Sequence, residues 1–493
     1  NPERKRPWLR TALATLGTAA LIALTVPAFP TGTTTAEAKG KKKAPKPIKE
    51  HFRRIATFNI FENTDIGTTT NAEIVTATKD GKTLIYTDSE TERLGFVDIS
   101  DAANPVADGT VDLGGEPTSV GFAKGYALTC INTSADFVNT SGDLVIIDVD
   151  TRAIVRTIAL GGQPDSIAIS PNERYAAIAI ENERDEDLGD GAPPQLPAGY
   201  VVVVDLKGKV AGWTTKDVDI TGIADKFPED PEPEFIDINR KNIAAVTLQE
   251  NNHVVLIDLK KCKIVGDFSC GTVSLDHVDT VEEGLITLDS SILELPREPD
   301  AVTWIDNKRL ATADEGDLDG GTRGFTIFNK NGTIEFEADT DVEYETVRIG
   351  HYPEERSGNK GNEPEGIAYG KYGKNELLFV GSERSSVILV YRLIGKDKTP
   401  VFHQVLPAGI APEGLKPIPK RKLFVVASED DDRGDKFRSS ISIYQWKKQR
   451  SSYPTIESGD DANGKPIPWA ALSALAADKD DDDIAYTVYD SFF

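Results

Sequence analysis

The feature of this sequence that most constrains its fold is a short motif that recurs along the chain. The motif is a proline, an acidic or polar residue, a variable residue and then an apolar strand, as in Pro164-Asp165-Ser166-Ile167. Repetition of this kind indicates an architecture built from copies of one supersecondary unit. The seven copies begin at Ala72, where the other copies have proline, and continue at Pro117, Pro164, Pro233, Pro299, Pro364 and Pro412.

The spacing of the copies fits a β-propeller. Successive copies are 45, 47, 69, 66, 65 and 48 residues apart, and one four-stranded blade needs about 40–50 residues. Each longer interval requires an insertion, of which the acidic, proline-rich loop 183–197 is one. Strand-forming Val, Ile and Tyr dominate the runs after each motif, without helical periodicity. We therefore predict an all-β, seven-bladed β-propeller over residues 55–450, with an open array or two smaller propellers as the alternative.

One strand-like run has no blade of its own. Ile55–Ile60 precedes the first motif. We predict that it forms the outer strand of the last blade, beside Ser440–Trp446, because such closure removes the exposed edges of a linear array.

The N-terminal region has the features of an exported protein. A basic segment is followed by the apolar stretch 11–29 and by Ala36-Glu37-Ala38, which has the small-x-small form of a cleavage site. We predict a signal peptide over 1–38 and a basic linker over 39–54, with a single membrane anchor as the alternative. No other stretch is long and apolar enough to span a bilayer. We therefore expect a secreted, extracellular or periplasmic protein, or one associated with the cell surface.

The charge of the chain restricts its partners. The formal net charge is -25, so phosphate backbones would be repelled and nucleic acid is excluded as a partner. The charge fits a soluble exported protein or a cation binder. We expect a monomer, and the sequence does not identify its small-molecule or cell-envelope ligand.

Carboxylates at the motif should meet at one end of the channel, because the innermost strand of each blade lines it. Carboxylates this close must be neutralised by protons, by Lys or Arg, or by a metal. A hard cation with oxygen ligands, Ca²⁺ first, is the natural partner. The motif supplies Glu73, Asp165, Glu234, Asp300, Glu365 and Glu413, and the adjacent strands end in Glu250, Asp314, Glu315, Glu383 and Glu429. The predicted metal ligands are Asp300, Asp314, Glu315, Glu365, Glu383, Glu413 and Glu429.

The alternative is purely structural. The same carboxylates could cap backbone N–H groups and pair with Arg297, Arg323 and Arg384. The acidic glycine loop 314–321 is not an EF-hand, because Thr326 stands where that motif needs its bidentate Glu. A weaker calcium loop there stays open.

Other chemical signatures are few. No G-x-S-x-G elbow, phosphate loop or H-E-x-x-H motif is present, so no catalytic residue can be named. His253 opens a predicted strand and is expected to be structural, whereas His351 lies in an insertion and could face a site. In an exported protein Cys262 and Cys270 could form a disulfide.

The later motifs carry a family resemblance. Asn359–Ile367 precedes Leu378–Arg384, and Ala411–Leu415 precedes Leu423–Glu429; Glu298–Ala301 is similarly followed by Ala313–Asp317. Together they resemble the choice-of-anchor I family, related to mesenchyme-specific cell-surface glycoproteins, over about residues 55–450. The resemblance implies a secreted or surface-anchored propeller whose molecular function is poorly defined.

The C-terminal segment has a different composition. Pro468–Ala476 and Ile484–Tyr489 are strand-like and flank an acidic turn. This segment resembles the start of a phytase-like, esterase-like domain, and we predict that 451–493 is a linker followed by the truncated opening of such a domain. Some proteins of that kind are labelled phosphatases, so the resemblance implies a hydrolase acting on phosphate esters.

Two functions therefore stay open. The first is a binding or scaffold propeller with calcium at the acidic mouth of the channel. The second is an extracellular calcium-dependent phosphoesterase, phytase-like or alkaline-phosphatase-like, in which metals orient the attacking water and Lys360, Arg384 and Arg323 contact the phosphate.

Overall fold

A computed structural model describes residues 48–434, 436–481 and 483–491 of the protein. The predicted signal peptide and most of the predicted linker lie outside these residues. Within them, none of the helices has the length and apolar character needed to cross a membrane.

Seven four-stranded antiparallel sheets dominate the described residues, which confirms the predicted all-β, seven-bladed propeller. Blade 1 contains β2 (Val75–Ala77), β3 (Thr83–Asp88), β4 (Arg93–Asp98) and β5 (Val106–Asp112). Blade 2 contains β6 (Glu116–Ala123), β7 (Tyr126–Asn132), β8 (Gly142–Asp148) and β9 (Ile154–Ala159). Blade 3 contains β10 (Pro164–Ile169), β11 (Tyr175–Ile180), β12 (Tyr200–Asp205) and β13 (Thr214–Val218). Blade 4 contains β14 (Pro233–Ile238), β15 (Ile243–Leu248), β16 (His253–Asp258) and β17 (Lys263–Ser269).

The remaining blades carry the insertions between them. A hairpin of β18 (Thr272–Val278) and β19 (Ser290–Pro296) precedes blade 5, which contains β20 (Val302–Trp304), β21 (Arg309–Asp314), β22 (Gly324–Asn329) and β23 (Ile334–Glu337). Helix α1 (Asp341–Arg348) precedes blade 6, which contains β24 (Pro364–Tyr372), β25 (Asn375–Ser382), β26 (Val387–Ile394) and β27 (Thr399–Pro407). Short 3₁₀ turns lie at Ile60–Asn63, Val210–Gly212, Glu354–Arg356 and Pro419–Arg421.

Blade 7 combines both ends of the propeller. It contains β28 (Pro412–Ile418), β29 (Leu423–Ser428), β30 (Ser440–Lys448) and, as its outer strand, β1 (Glu50–Asn59), which pairs antiparallel with β30. β1 begins five residues earlier than the sequence pattern predicts, and these residues had been predicted as linker. The sequence does not show this start because Phe52, which is 1% exposed and has its ring centroid 4.8 Å from that of Trp446, is followed by the exposed Arg53 and Arg54.

The apolar core is continuous between neighbouring blades. Leu84 and Tyr86 of blade 1 pack in one cluster with Val425 and Ile443 of blade 7, so the first and last blades share a core. All six residues of β29 are buried, as expected for a strand that is covered on both faces. Burial of such side chains contributes about 25 cal/mol per Å² of apolar surface.

The motif has a structural explanation. Proline opens the innermost strands β10, β14, β24 and β28, a position at which a strand tolerates its missing N–H. In each of these strands the pairing register shifts directly after the proline. The acidic residue that follows the proline therefore lies in a local irregularity of the ladder, where a bulge can redirect a side chain.

The segment after the propeller packs on the blade 5–6 insertion. The Trp469 indole and the Ser458 amide both donate to the Arg348 carbonyl, at 2.9 and 2.8 Å. Beyond it, β31 (Ala471–Ala477) and β32 (Ala485–Ser491) form a separate hairpin, and Leu475 on it is 79% exposed. The phytase-like character of this segment stays a prediction.

The cysteines are not paired. Cys130, Cys262 and Cys270 are free thiols. Cys262 and Cys270 flank the two ends of β17, and an extended strand of this length separates them by about 25 Å. A disulfide requires Cα atoms within about 4.4–6.8 Å, so the disulfide that the sequence left open does not form.

Candidate functional site

The innermost strands of all seven blades surround a central cavity of about 850 Å³. Its lining includes the motif carboxylates of five blades. The sixth, Glu73, lies close enough to Glu413 for its charge to add to the effects of burial and of Glu429, which raise the pKa of Glu413. Thr118 takes the equivalent position in blade 2. The predicted meeting of the motif carboxylates at one end of the channel is therefore observed. The five that line the cavity are Asp165, Glu234, Asp300, Glu365 and Glu413.

Within the part of the chain that the structure describes, two groups of three carboxylates come close enough to share an ion. We call Asp165, Glu181 and Glu234 the first trio, and within it one carboxylate oxygen of each residue lies within 4.8 Å of the others. Asp165 lies in β10, Glu181 follows β11, and Glu234 lies in β14 of the next blade. The first trio therefore bridges blades 3 and 4.

The second trio repeats this construction two blades further on. It consists of Asp300, Glu315 and Glu365, whose oxygens also lie within 4.8 Å of one another. Asp300 precedes β20, Glu315 follows β21, and Glu365 lies in β24 of the next blade. Each trio thus takes two carboxylates from one blade and a motif carboxylate from the next.

We call the motif carboxylates, together with the strand-end carboxylates that interact with them, the acidic ring, which continues from blade 7 to blade 1. Burial raises the pKa of Glu413 of blade 7, and the charges of Glu429 and then of Glu73 of blade 1 raise it further. Glu73 is held in place because it accepts hydrogen bonds from the Ser89 hydroxyl at 2.6 Å and the Asn71 amide at 3.0 Å.

Burial raises the pKa values of the carboxyls at this end of the channel, because it disfavours their charged forms. Burial, and then the charge of Glu183, raises the pKa of Asp165 to about 7. Burial raises the pKa of Glu73 to about 8, although its hydrogen bond from Ser89 opposes the shift. Burial and neighbouring carboxylates also raise the pKa of Glu234 and Glu365 well above the ordinary range. The carboxyls therefore hold protons near neutral pH unless a cation replaces them.

Basic side chains form a layer behind the carboxylates. Arg184 donates to Glu250 at 2.8 Å and to Glu232 at 3.1 Å, and it also contacts Asp317. Lys360 lies 2.9 Å from a Glu315 oxygen. The first trio has no such partner: among the described residues, no Lys or Arg forms an ion pair with any of its three carboxylates.

The structure separates six of the seven predicted ligands into three groups. Asp300, Glu315 and Glu365 form the second trio, and Glu413 lines the same channel beside Glu429. Glu383 pairs with Arg384 at 3.2 Å. The predicted pairing of Arg384 with these carboxylates is thus observed for one of them.

Asp314 does not join the ring, contrary to the prediction. It accepts hydrogen bonds from the Thr312 and Thr326 hydroxyls at 2.6 and 2.5 Å and lies 3.7 Å from the Arg297 guanidinium. The reason is the alternation of a strand, in which successive side chains point to opposite faces. Asp314 ends β21 and points into its blade, whereas Glu315 points into the channel.

The acidic glycine loop does not gather its carboxylates around one point. Asp317 contacts Arg184, and Asp319 lies 2.9 Å from Lys226. The backbone N–H groups of both aspartates donate to Glu298. Protein cations therefore occupy the carboxylates of this loop.

Three further candidates lie away from the channel. Arg323 is buried with Glu343, at 2.9 Å, and also donates to the carbonyls of Asp279 and Ser357. His351 is hydrogen-bonded to the Ser385 carbonyl at 2.9 Å and to the Tyr453 hydroxyl at 2.6 Å. The third, His253, lies 3.1 Å from Asp267 in blade 4 and is structural, as predicted.

Two important residues were missed by sequence reasoning. Glu181 follows the second strand of its blade just as Glu315 follows β21, so the strand-end pattern could have identified it. Arg184 lies in the irregular loop after Glu181, and no local signal connects it to Glu232 or Glu250.

Comparison with known proteins supports the fold and identifies a family model. The model of the choice-of-anchor I domain matches residues 73–320 and 318–396. No curated protein matches the chain.

Solved structures resemble the chain in fold only. The WD40 repeats of RRP9 have a TM-score of 0.52 at 10% identity, covering 80% of this chain and 97% of that one. U3-55K has a TM-score of 0.51 at 9% identity, covering 80% and 98%. A catalytically inactive virginiamycin B lyase from Staphylococcus aureus, crystallised with quinupristin, has a TM-score of 0.50 at 12% identity, covering 80% and 99%.

Proposed function

The chain belongs to the choice-of-anchor I domain family, and this membership fits a propeller module at the cell surface. We propose that the module binds Ca²⁺ at the acidic end of its channel. The observation that carries the proposal is the first trio, one buried and two half-buried carboxylates from two blades, none of which forms an ion pair with a protein cation among the described residues. One of its oxygens, Oε2 of Glu234, is buried without a hydrogen-bond partner.

The spacing of the first trio suits calcium. Ca²⁺ binds oxygen at about 2.3–2.6 Å, so ligands on opposite sides of one ion are about 4.6–5.2 Å apart. The trio's oxygens lie within 4.8 Å of each other. Calcium also accepts six to eight ligands in flexible geometry, whereas Mg²⁺ requires near-ideal octahedral geometry and keeps its waters. Because the carboxylates come from two separate blades, they favour Ca²⁺, which tolerates less regular ligand geometry than Mg²⁺.

The buried carboxylates of the first trio must be neutralised, either by protons or by a cation. Asp165, Glu181 and Glu234 all have raised pKa values because burial disfavours their charged forms. A divalent ion can displace these protons and neutralise the carboxylates at once. Calcium would thereby tie blade 3 to blade 4 and stabilise the acidic mouth.

Export is part of the same proposal. The basic segment, apolar stretch and cleavage-like Ala36-Glu37-Ala38 support secretion. Extracellular calcium concentrations suit a site of this kind, since extracellular modules bind calcium with Kd values of about 10⁻⁴–10⁻³ M. The propeller would then act as a calcium-stabilised binding or scaffold module at the cell surface.

The phosphoesterase is the second candidate, favoured by Lys360 beside the second trio at 2.9 Å from Glu315. A phosphate bound to metals there would need further cations. Arg384 is engaged with Glu363 and Glu383, and Arg323 is buried with Glu343. Because these two arginines already form ion pairs with protein carboxylates, the phosphoesterase is the less favoured of the two candidate functions.

Calorimetric titration of the full chain with CaCl₂ tests the proposal. We expect binding by the natural protein and a loss of at least about a hundredfold in Glu234→Gln, which keeps the side chain's shape but removes its charge. Glu229→Gln, an exposed change in the loop before blade 4, is the matched control and should bind normally. Equal affinity in all three proteins, or no binding by the natural protein, would refute the calcium site.

A parallel assay separates the two candidate functions. Hydrolysis of p-nitrophenyl phosphate is measured with and without EDTA. We expect no calcium-dependent hydrolysis of this substrate. Hydrolysis that EDTA abolishes, and that Lys360→Gln reduces, would establish the phosphoesterase instead.

A further inference from the structure

The charge of the central channel reverses along its length. Lys79, Arg240 and Lys371 each stand six residues after the motif carboxylate of their blade, and all three line the cavity. An extended strand advances about 3.3 Å per residue, so these residues lie at most about 20 Å from the acidic ring. Lys420 lies beside them after β28.

One further lysine lies inside the channel. Lys416 and Asp237 both stand three residues after their motif carboxylates, Glu413 and Glu234, and both line the cavity. The Asp237 carboxylate accepts a hydrogen bond from the Trp304 backbone N–H at 2.7 Å. Burial lowers the pKa of Lys416, although the charge of Asp237 opposes this. We call Lys79, Arg240, Lys371, Lys416 and Lys420 the basic mouth.

The basic mouth has little internal compensation. Among the described residues, Arg240, Lys416 and Lys420 form no ion pair with a carboxylate. Lys79 and Lys371 pair with Glu173 and Glu376 at 2.6 and 3.2 Å, but both lysines are exposed, and such pairs contribute only about 0–1 kcal/mol. Five basic side chains thus line a cavity end whose lining includes two carboxylates, Glu173 and Asp237.

This segregation contrasts with the rest of the protein. The whole chain has a formal net charge of -25, so chance placement would favour carboxylates at both ends. A cleft lined by one sign of charge focuses the electrostatic field and concentrates ligands of the opposite sign. Lysine is an effective partner for oxyanions as a point charge.

We propose that the basic mouth is a binding site for a multivalent oxyanion, a ligand group with phosphate or polycarboxylate chemistry. Lys416 lies at its base, and Lys79, Arg240, Lys371 and Lys420 surround its entrance. The site uses none of the carboxylates of the acidic ring and does not rest on the proposed calcium site.

Titration with pyrophosphate and, separately, with citrate tests this inference. The full chain is held in EDTA, so that calcium cannot mediate binding. We expect saturable binding of at least one of the two probes, weakening as salt is added. Preference for pyrophosphate or for citrate distinguishes phosphate from carboxylate recognition. No binding of either probe would overturn the proposal.

Two variants locate the site. In the triple variant Lys79→Gln, Arg240→Gln and Lys420→Gln, all three changes are exposed and should preserve the fold. Lys416→Met tests the base of the site. We expect affinity to fall about tenfold or more in each, as the loss of a charge-assisted contact requires.

The matched control changes two exposed lysines on the same face. Lys207 and Lys260 follow the third strands of blades 3 and 4, and third strands run parallel to first strands in an antiparallel meander, so their turns lie at the same end. The double variant Lys207→Gln and Lys260→Gln should bind as the natural protein does. Equal weakening by this control would show only a loss of net charge and would overturn the site.

Discussion

The two carboxylate trios are built by the same rule but differ in their relation to protein cations. Both combine a motif carboxylate, a strand-end carboxylate and the next blade's motif carboxylate. The second trio has Lys360 at 2.9 Å from Glu315, whereas the first has no bonded cation among the described residues. The repeat therefore sets where the carboxylates lie, and the insertions within and between blades decide how they are neutralised.

The basic residue near the first trio acts one layer further out. Arg184 is bonded to Glu250 and Glu232, not to Asp165, Glu181 or Glu234. It neutralises the neighbouring carboxylates and leaves the trio itself for another cation. This difference predicts that the first trio binds calcium more tightly than the second.

Removing Arg184 should have the largest effect on the free energy of unfolding. Arg184→Gln leaves the nearly inaccessible Glu232 and Glu250 without their charge partner, which costs about 3–5 kcal/mol. Urea denaturation at pH 8 measures this. Arg174→Gln breaks a half-exposed pair with Asp205 in the same blade and should cost at most about 1 kcal/mol. Similar losses in both variants would contradict the layered arrangement.

Removing Lys360 should make the trios more alike. Lys360→Gln takes a positive charge away from Glu315, so calcium affinity at the second trio should rise about tenfold, and a second binding event should appear in calorimetry. Lys226→Gln, whose lysine pairs with Glu298 and Asp319 instead, is the control. An unchanged titration in Lys360→Gln would mean that Lys360 does not limit the second trio.

The pH dependence of stability distinguishes the calcium-free from the calcium-bound protein. The pKa values of Asp165 and Glu73 are raised by burial to about 7 and about 8 from ordinary values of 3.8 and 4.5. The native state therefore binds more protons than the unfolded state, and stability falls as pH rises through about 4 to 8. In EDTA we expect the melting temperature to drop by roughly 3–5 °C between pH 5.5 and 8.5. Calcium should reduce the drop by removing the contribution of Asp165, whereas Glu73 lies outside the first trio. A rise in EDTA would show that these groups are charged in the native state.

The smallest effect on calcium binding is expected at Asp314. Asp314→Asn should leave calcium affinity within about twofold, because its hydrogen bonds run to Thr312 and Thr326 and not to the channel. It should lower the free energy of unfolding by about 1–3 kcal/mol. Calorimetry and urea denaturation of one preparation measure both quantities. A tenfold loss of calcium affinity would show that Asp314 does contribute to the acidic ring.

Much of the site could be read from periodicity alone. The motif placed Asp300, Glu365 and Glu413 at equivalent positions of different blades, and blade closure brings equivalent positions together. Periodicity could not choose between Asp314 and Glu315, which are adjacent in sequence. That choice depends on where β21 ends and on which face each side chain points to.

The ion-pair partners of residues in irregular segments could not be predicted from periodicity. Arg184 and Lys360 lie in insertions without a repeat, and their partners are 45 to 133 residues away in the chain. Arg323 was expected beside the channel carboxylates but is buried with Glu343 of the blade 5–6 insertion. Long-range ion pairs of this kind follow from chain packing and leave no local pattern.

The sequence by itself determined the number of blades, the family and the gathering of acidic residues at one end of a channel, because a repeated unit puts the same residue in the same place each time. The tertiary structure alone decided which carboxylates meet within one coordination distance, which are neutralised by Arg or Lys, and that the opposite mouth is basic. Those outcomes depend on distances between residues from different blades and insertions, and sequence spacing does not specify such distances.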